Sequence, residues 1–199
     1  MQYEPYTQAL YAALYNDPFY KALKDSLANP EQAAAAMRAY YELSMRDAAK
    51  WGRLTLPEQG HHGAAVWALP LEDSQAKARQ AEREKALYTA LGPEGCATYN
   101  AMDAAISERE AVMDLDGFWY LSILGVDPAL QGRGLGAQLV RPGLEEADAA
   151  GVPSFLTSFS PGNFAFYEGL GFRVVAAFPE EVTGTEFSVL VRPVPVRAQ

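Results

Sequence analysis

The sequence predicts a single α/β domain whose first half is helical and whose second half alternates strands and helices. Three observations support this fold class. The 199 residues are 49% hydrophobic, which suffices for one buried core. Apolar residues recur at helical spacing through the N-terminal region. Nearer the C-terminus, short apolar runs alternate with glycine-containing turns, a pattern typical of strands and connecting helices.

In the N-terminal half, helical periodicity runs over residues 6–27 and breaks at Asp17-Pro18. The pair Asn29-Pro30 then predicts the start of a second helix, which we place over residues 31–51. A stripe of large apolar side chains on that helix, formed by Tyr40, Tyr41 and Met45, is interpreted as core. The walls of a binding pocket are also expected in this region.

A short apolar run closed by proline predicts a buried strand over residues 63–70. A charged helical region follows over residues 71–110 and is interrupted at Gly92-Pro93. We interpret its alternating charges between Lys77 and Lys85 as a solvated face.

The C-terminal part begins with a continuous apolar run, which predicts a strand buried on both faces at residues 118–126. The remaining predicted elements are a helix at 134–150, a strand at 153–159, a short helix at 163–170 and strands at 172–178 and 186–192.

Composition excludes several classes of protein. A formal net charge of −9 and a pI of about 4.7 argue against a protein that binds nucleic-acid phosphates. No apolar run is long enough to span a bilayer, and the N-terminus lacks the pattern of a signal peptide. The lone Cys96 excludes an intrachain disulfide or a multi-cysteine metal site. We therefore expect a cytoplasmic protein with no metal, membrane or nucleic-acid partner.

The most informative stretch is Gln131-Gly132-Arg133-Gly134-Leu135-Gly136, which lies between a predicted strand and a predicted helix. Glycines let a ligand approach the backbone closely, and the free N–H groups at a helix N-terminus attract anions. This segment therefore predicts a phosphate-binding turn.

Two other phosphate-binding motifs fit this segment poorly. A P-loop requires a Lys-Ser/Thr pair after its last glycine, and Gly136-Ala137-Gln138 does not provide one. The residues Gly132, Gly134 and Ala137 do match the G-x-G-x-x-A dinucleotide fingerprint. However, that motif directly follows its strand and precedes a second strand ending in an acidic residue, and neither condition holds here.

The glycine turn resembles the acyl-CoA pyrophosphate loop of the GNAT acetyltransferases. The resemblance continues through Asn163, Phe166-Tyr167-Glu168 and Leu170-Gly171-Phe172, which are similar to the second signature of that family. Together these matches cover roughly residues 118–192. Within the family, the chain is similar to the branch containing puromycin N-acetyltransferase; the segments concerned are Gly63 to Trp67, Val126-Asp127-Pro128, Arg141-Pro142-Gly143, Val152-Pro153 and Ser160-Pro161. That branch carries a glutamate where Thr157 stands and an arginine where Gly162 stands.

The resemblance implies a mixed central sheet and an enzyme that transfers an acetyl group from acetyl-CoA to an amine of a small molecule. The amine would attack the thioester directly. It also implies one domain over residues 1–199, with an acceptor-side half at 1–115 and an acetyl-CoA-binding half at 116–199. The family's usual first strand is shortened or missing, because the chain starts in a helix. Homodimerisation is left open.

The resemblance also implies roles for individual residues. Tyr167 is the candidate general acid that protonates the departing thiolate, and Asn163 and Phe166 would contact the pantetheine arm. The other expected acetyl-CoA-binding residues are Leu124, Gly125 and Val126 on the strand and Gln131, Gly132, Arg133, Gly134, Leu135 and Gly136 in the loop.

The sequence leaves the general base open. Ser122 or Tyr120 could relay a proton through water, and the alternatives are the carboxylates Glu42, Asp114 and Asp116, each of which we interpret as a surface charge. Two other functions stay open: a non-catalytic acyl-CoA-binding module, and an oxidoreductase that binds NAD or NADP.

Overall fold

The computed structural model describes residues 2–195 and contains a six-stranded mixed sheet in the order β1-β2-β3-β4-β6-β5. The strands are β1 (Arg53–Thr55), β2 (Gly63–Ala68), β3 (Trp119–Val126), β4 (Ser154–Ser158), β5 (Arg173–Glu180) and β6 (Thr185–Arg192). The helices are α1 (Glu4–Ala13), α2 (Pro18–Asp25), α3 (Ala33–Trp51), α4 (Asp73–Ala111), α5 (Leu135–Ala150) and α6 (Phe164–Glu168). The predicted α/β fold class is confirmed.

Local sequence signals explain where several elements begin and end. The side chain of Asp17 accepts a hydrogen bond from the Phe19 N–H, which caps α2 with Pro18 at its first position. Helix α4 is kinked at Gly92, next to Pro93, where the backbone leaves helical angles. The edge strand β1 was not predicted, since three residues are too few to show a period.

The two faces of the sheet are covered by different parts of the chain. Alternate residues of β2 point to opposite faces. Ala64 and Val66 pack with the N-terminal helices α1 to α4, whereas Ala65 and Trp67 pack with α5. Trp67 is fully buried, and a Cβ at Gly143 of α5 would lie 2.6 Å from its indole ring. The α5 backbone therefore lies directly on the sheet.

Strands β3 and β4 separate soon after they pair. Their parallel ladder contains the pairs Trp119 with Ser154 and Tyr120 with Phe155, and no later pair is formed. Strand β3 continues to Val126, where its other edge stays paired with β2. The end of β3 nearest the glycine loop is thus unpaired on the side that faces β4. This divergence opens a slot in the middle of the sheet.

The prediction that the charges between Lys77 and Lys85 form a solvated face of α4 is partly wrong. Arg79 and Arg83 turn towards α3, where both form ion pairs with Asp47. The alternating charges thus include interior pairs between two helices. Within residues 2–195, no helix is long and apolar enough to cross a membrane.

Candidate active site

A cleft of about 570 Å³ lies at the slot between β3 and β4. It contains all but one of the residues expected to bind acetyl-CoA; these are Leu124, Gly125, Val126, Gln131, Gly132, Gly134, Leu135, Gly136, Asn163 and Phe166. The exception is Arg133, which is exposed and does not line the cleft. The glycine loop, the end of β3 and the start of α6 therefore surround one space, which we call the loop cleft.

The glycine loop presents free backbone donors to this cleft. Gly134 is the N-cap of α5 in a left-handed conformation with φ 77°, and Gly132 has φ 76°. Within residues 2–195, the backbone N–H groups of Gly132 to Gly136 donate no hydrogen bond, and the first to do so after them is that of Gln138, to Gly134. Free donors at the positive end of a 16-residue helix suit a diphosphate.

Two side chains hold the loop in place. Gln131 donates through Nε2 to the carbonyl oxygen of Val126 at 3.0 Å, which ties the loop to the end of β3. The ring of Phe166 lies so close to Gly136 that an added Cβ would be 3.3 Å away from it. Gln131 therefore ties the loop to β3 through its side chain, and Phe166 packs against the first turn of α5 and lines the cleft.

A second cavity of about 510 Å³ lies between the sheet and helices α2, α3 and α4, and we call it the helical cavity. Its walls are rich in aromatic rings, which are those of Phe19, Tyr20, Tyr40, Trp67, Tyr99, Tyr120, Phe159 and Tyr167. It is also lined by four carboxylates, those of Asp17, Asp47, Asp103 and Glu110. Tyr40 belongs to the predicted core stripe and contacts both the core and this cavity.

The loop cleft and the helical cavity meet. Five residues line both of them: Leu14, Asp17, Leu124, Asn163 and Tyr167. Tyr167 is half-buried, and burial together with the nearby charge of Asp17 raises its pKa to about 12. The phenol therefore keeps its proton at neutral pH. A group bound in one space can react with a group bound in the other only at this junction.

Asp17 is the carboxylate at the junction. Its Oδ1 accepts from the Phe19 N–H at 3.1 Å, and its Oδ2 accepts from the Ser160 hydroxyl at 3.2 Å. Burial raises its pKa above the usual range for aspartate. From the sequence, Asp17 is predicted only as a break between two helices, and its place in the site is not predicted. The pattern Asp-Pro predicted a break between two helices, but no local signal places the carboxylate beside Tyr167.

The carboxylates considered from sequence lie elsewhere. Glu42 is buried and accepts from the backbone N–H groups of Gln2 and Tyr3 and from Arg46, so the expected surface location is wrong. Asp114 and Asp116 are exposed and line neither space. These three are unsuited to act on a group at the junction.

The two hydroxyl residues considered as proton relays do line the helical cavity. The Tyr120 hydroxyl lies 2.9 Å from Oγ1 of Thr157, and Ser122 donates to the Val66 carbonyl oxygen at 3.1 Å. Each hydroxyl therefore has a protein partner within the site.

The histidines and the cysteine lie outside both spaces. His61 packs edge-on against Tyr6, with ring centroids 4.9 Å apart, and the His62 carbonyl accepts from Asp127 N–H. Cys96 lines neither the loop cleft nor the helical cavity. Among residues 2–195, no cluster of three or more His, Cys, Asp or Glu side chains has the arrangement of a metal site.

The chain matches the model of a known protein family. The model of the acetyltransferase (GNAT) family matches residues 67–172, more than half of the chain. The protein belongs to the GNAT acetyltransferase family.

A curated relative from Schizosaccharomyces pombe, described as an uncharacterized N-acetyltransferase, is 36% identical over 90 residues. That alignment spans 43% of this chain and 38% of the relative.

Solved structures share the fold over nearly the whole chain. A histone acetyltransferase HPA2 and related acetyltransferase from Corynebacterium glutamicum has a TM-score of 0.67 at 19% identity, over 100% of this chain and 94% of that one. Arylalkylamine N-acetyltransferase 2 from Aedes aegypti has a TM-score of 0.65 at 13% identity, over 97% and 94%. A polyamine N-acetyltransferase from Drosophila melanogaster has a TM-score of 0.63 at 17% identity, over 96% and 94%. At these identities the similarity defines the fold alone.

Proposed function

We propose that this protein transfers an acetyl group from acetyl-CoA to an amine of a small molecule. The observation that carries the proposal is the junction itself. A cleft with free loop amides and a cavity lined by carboxylates and aromatic rings share Asp17 and Tyr167. The first suits a thioester with a diphosphate tail, and the second suits an amine. Within the family, we place the chain near the branch containing puromycin N-acetyltransferase, whose segments it resembles.

Acetyl-CoA would bind in the loop cleft. The amides of Gly132 to Gly136 would hold its diphosphate, and the unpaired edge of Leu124 to Val126 would hydrogen-bond its pantetheine arm. Asn163 and Phe166 would contact the same arm from α6 and the turn before it. Most residues that line the loop cleft come from the C-terminal half, and helices α2 to α4 cover the helical cavity. We therefore propose one domain in which residues 116–199 bind acetyl-CoA and residues 1–115 form the acceptor side.

Asp17 would act as the general base. An amine attacks only as the free base, and an N–C bond forms as the C–S bond of the thioester breaks. The carboxylate of Asp17, which lines both spaces, would take the proton that leaves the nitrogen. Its two hydrogen-bond partners fix its orientation, and Oδ2 shares only a hydroxyl proton with Ser160. Glu42, Asp114 and Asp116 do not reach this position.

Tyr167 would donate its proton to the departing sulfur. With a pKa of about 12, the phenol remains protonated until the thiolate forms beside it. A thiol has a pKa of about 8.5, so this transfer is uphill in isolation by about 5 kcal/mol. Developing positive charge on the attacking nitrogen favours the phenolate and lowers that cost. Asp17 then releases the proton it accepted to solvent, and the Tyr167 phenolate takes one up, which restores both groups.

The first experiment is thermal unfolding with and without acetyl-CoA, with NAD as the control ligand. Acetyl-CoA at about 100 times its Kd should add roughly 2.7 kcal/mol, which corresponds to about 5–11 °C for a chain of this size. Consumption of thioester in the presence of an amine panel then tests transfer. A shift with NAD alone would contradict the proposal, and a shift with acetyl-CoA but no transfer to any amine would indicate a binding module.

A further inference from the structure

Glu110, in the last turn of α4, lines the helical cavity and has a buried carboxylate oxygen without a partner. The residue as a whole is half-buried, and its Oε1 has no exposed surface. Within residues 2–195, Oε1 accepts no hydrogen bond, and no Lys, Arg or His nitrogen lies within ion-pair distance of Glu110. Buried carboxylates are ordinarily paired, because an uncompensated buried charge is costly.

The cations that line the cavity are already engaged. Arg79 contacts both oxygens of Asp47 through Nε and donates to Oδ2 from a terminal nitrogen at 2.6 Å. Arg83 lies 3.5 Å from the same carboxylate and donates to the Tyr99 hydroxyl at 3.0 Å. That hydroxyl in turn donates to Asp103 at 3.3 Å. This chain of contacts ends at Asp103 and does not extend to Glu110.

The groups around Glu110 also favour the binding of a cation beside its carboxylate. Burial, together with the negative charge of Asp103, raises the pKa of Glu110 to about 7. Asp103, Ser107 and Glu110 are spaced by four and three residues along α4 and all line the cavity, so they form one polar stripe on the helix. The aromatic ring of Tyr120, which also lines the cavity, can attract a positive charge too.

The place of Glu110 along the cavity is inferred from the residue of β3 that it lies near, Tyr120. Glu110 interacts electrostatically with Tyr120, which stacks on Phe155 where β3 and β4 are still paired. Leu124, which lines the junction, is four residues further along β3, a distance of about 13 Å in an extended strand. An acceptor that reaches both Glu110 and the junction is therefore an elongated molecule.

We propose that Glu110 binds a second cationic group of the acceptor, so that the acceptor is an elongated diamine or an amine carrying a guanidinium. One amine would lie at the junction near Asp17 and Tyr167, and the second cation would pair with Glu110. This inference rests on the proposed function, since it assigns the far end of the same acceptor site.

The test compares 1,5-diaminopentane with pentylamine and 5-aminopentanol, which have the same chain length without the second charge. The variants are Glu110→Gln and, as a matched control, Glu108→Gln, which removes an exposed charge two residues away on the same helix. We expect wild type to use the diamine with a kcat/KM about 10–100-fold higher than that of either monocation. Glu110→Gln should remove most of that advantage and leave the pentylamine value within twofold, whereas Glu108→Gln should retain it.

Two outcomes would overturn the inference: no preference for the diamine in wild type, or equal losses for diamine and monoamine in Glu110→Gln. A parallel measurement separates it from the proposed function. If no amine is acetylated, the proposed function fails. The subsite is then tested by thermal unfolding with 1,5-diaminopentane, which should stabilise wild type and Glu108→Gln but not Glu110→Gln. Equal shifts in all three proteins, or none, would exclude the subsite.

Discussion

The hydroxyl of Ser160 donates a hydrogen bond of 3.2 Å to Oδ2 of Asp17, across 143 positions of the sequence. This bond joins the connection between α1 and α2 to the turn that follows β4. Both segments border the slot where β3 and β4 diverge. The contact therefore fixes a carboxylate from the helical half beside Tyr167 from the C-terminal half.

Replacing Asp17 by Asn should remove the base and keep the fold. Asparagine is as good an N-cap as aspartate, so its oxygen can still accept from the Phe19 N–H. We expect kcat/KM to fall by roughly 10²-fold or more, in the range for positioned proton transfer. The control is Asp25→Asn, which removes an exposed charge at the far end of α2. An equal loss in both variants would mean that the effect is long-range electrostatics.

The pH dependence of Asp17 has a definite sign. Burial raises its pKa above 3.8, and a base works only when deprotonated. Wild-type kcat/KM should therefore fall as pH decreases through that raised pKa, and the same limb should be absent from Asp17→Asn. Profiles measured between pH 4 and 9 test this, and an unchanged acid limb in the variant would assign the limb to another group.

Replacing Tyr167 by Phe should lower kcat by roughly 10²–10⁴-fold with little change in acetyl-CoA affinity, because the ring remains and only the proton donor is lost. Calorimetric titration of acetyl-CoA and steady-state kinetics measure the two quantities separately. Tyr88→Phe is the matched control, since Tyr88 is 60% exposed and lines neither space. If Tyr167→Phe has a normal kcat, Tyr167 lines the site but does not act as the general acid.

Replacing Gly134 by Ala should weaken acetyl-CoA binding beyond its effect on stability. The φ of 77° is unfavourable for alanine by about 1–2 kcal/mol, and relaxation would re-aim the loop amides. Gly151→Ala is a close control, because Gly151 lies at the other end of α5 with φ 70° and equally open space around it. Both variants should lose similar thermal stability, but Gly134→Ala alone should raise the Kd. If both variants bind acetyl-CoA with the same affinity, the loop amides do not bind the diphosphate.

Replacing Glu110 by Gln should stabilise the protein above neutral pH. The folded pKa of about 7 exceeds the ordinary 4.5, so the folded state of wild type binds the proton more tightly than the unfolded state does. The contribution of this group to wild-type stability is therefore fully present below pH 4.5 and is lost as pH rises through 7. The variant should be more stable by on the order of 1–3 kcal/mol at pH 8, with a difference that shrinks towards pH 5. Urea unfolding at several pH values measures this difference, and a constant difference would contradict it.

Local patterns predicted most of the elements and the residues that border the loop cleft. The glycines of 132–136 and the apolar strand before them are contiguous, so the sequence alone places a strand, a turn of free amides and a helix in order. All of the acetyl-CoA-binding residues expected from the resemblance except Arg133 border one cleft, because that half of the site is built from consecutive or nearby segments.

The tertiary structure alone decided which charged residues line the helical cavity. In the sequence, Asp17 marks only a helix break, Glu110 resembles any charge on an exposed helix, and Arg83 belongs to a stretch typical of a solvated face. In the structure, Asp17 lies at the junction, Glu110 has a buried carboxylate oxygen without a partner, and Arg83 pairs with Asp47. Their roles depend on how α2, α3 and α4 pack over the sheet, and helical periodicity records which face a residue occupies but not what lies opposite. Contacts between residues 143 positions apart follow from that packing and leave no local signal.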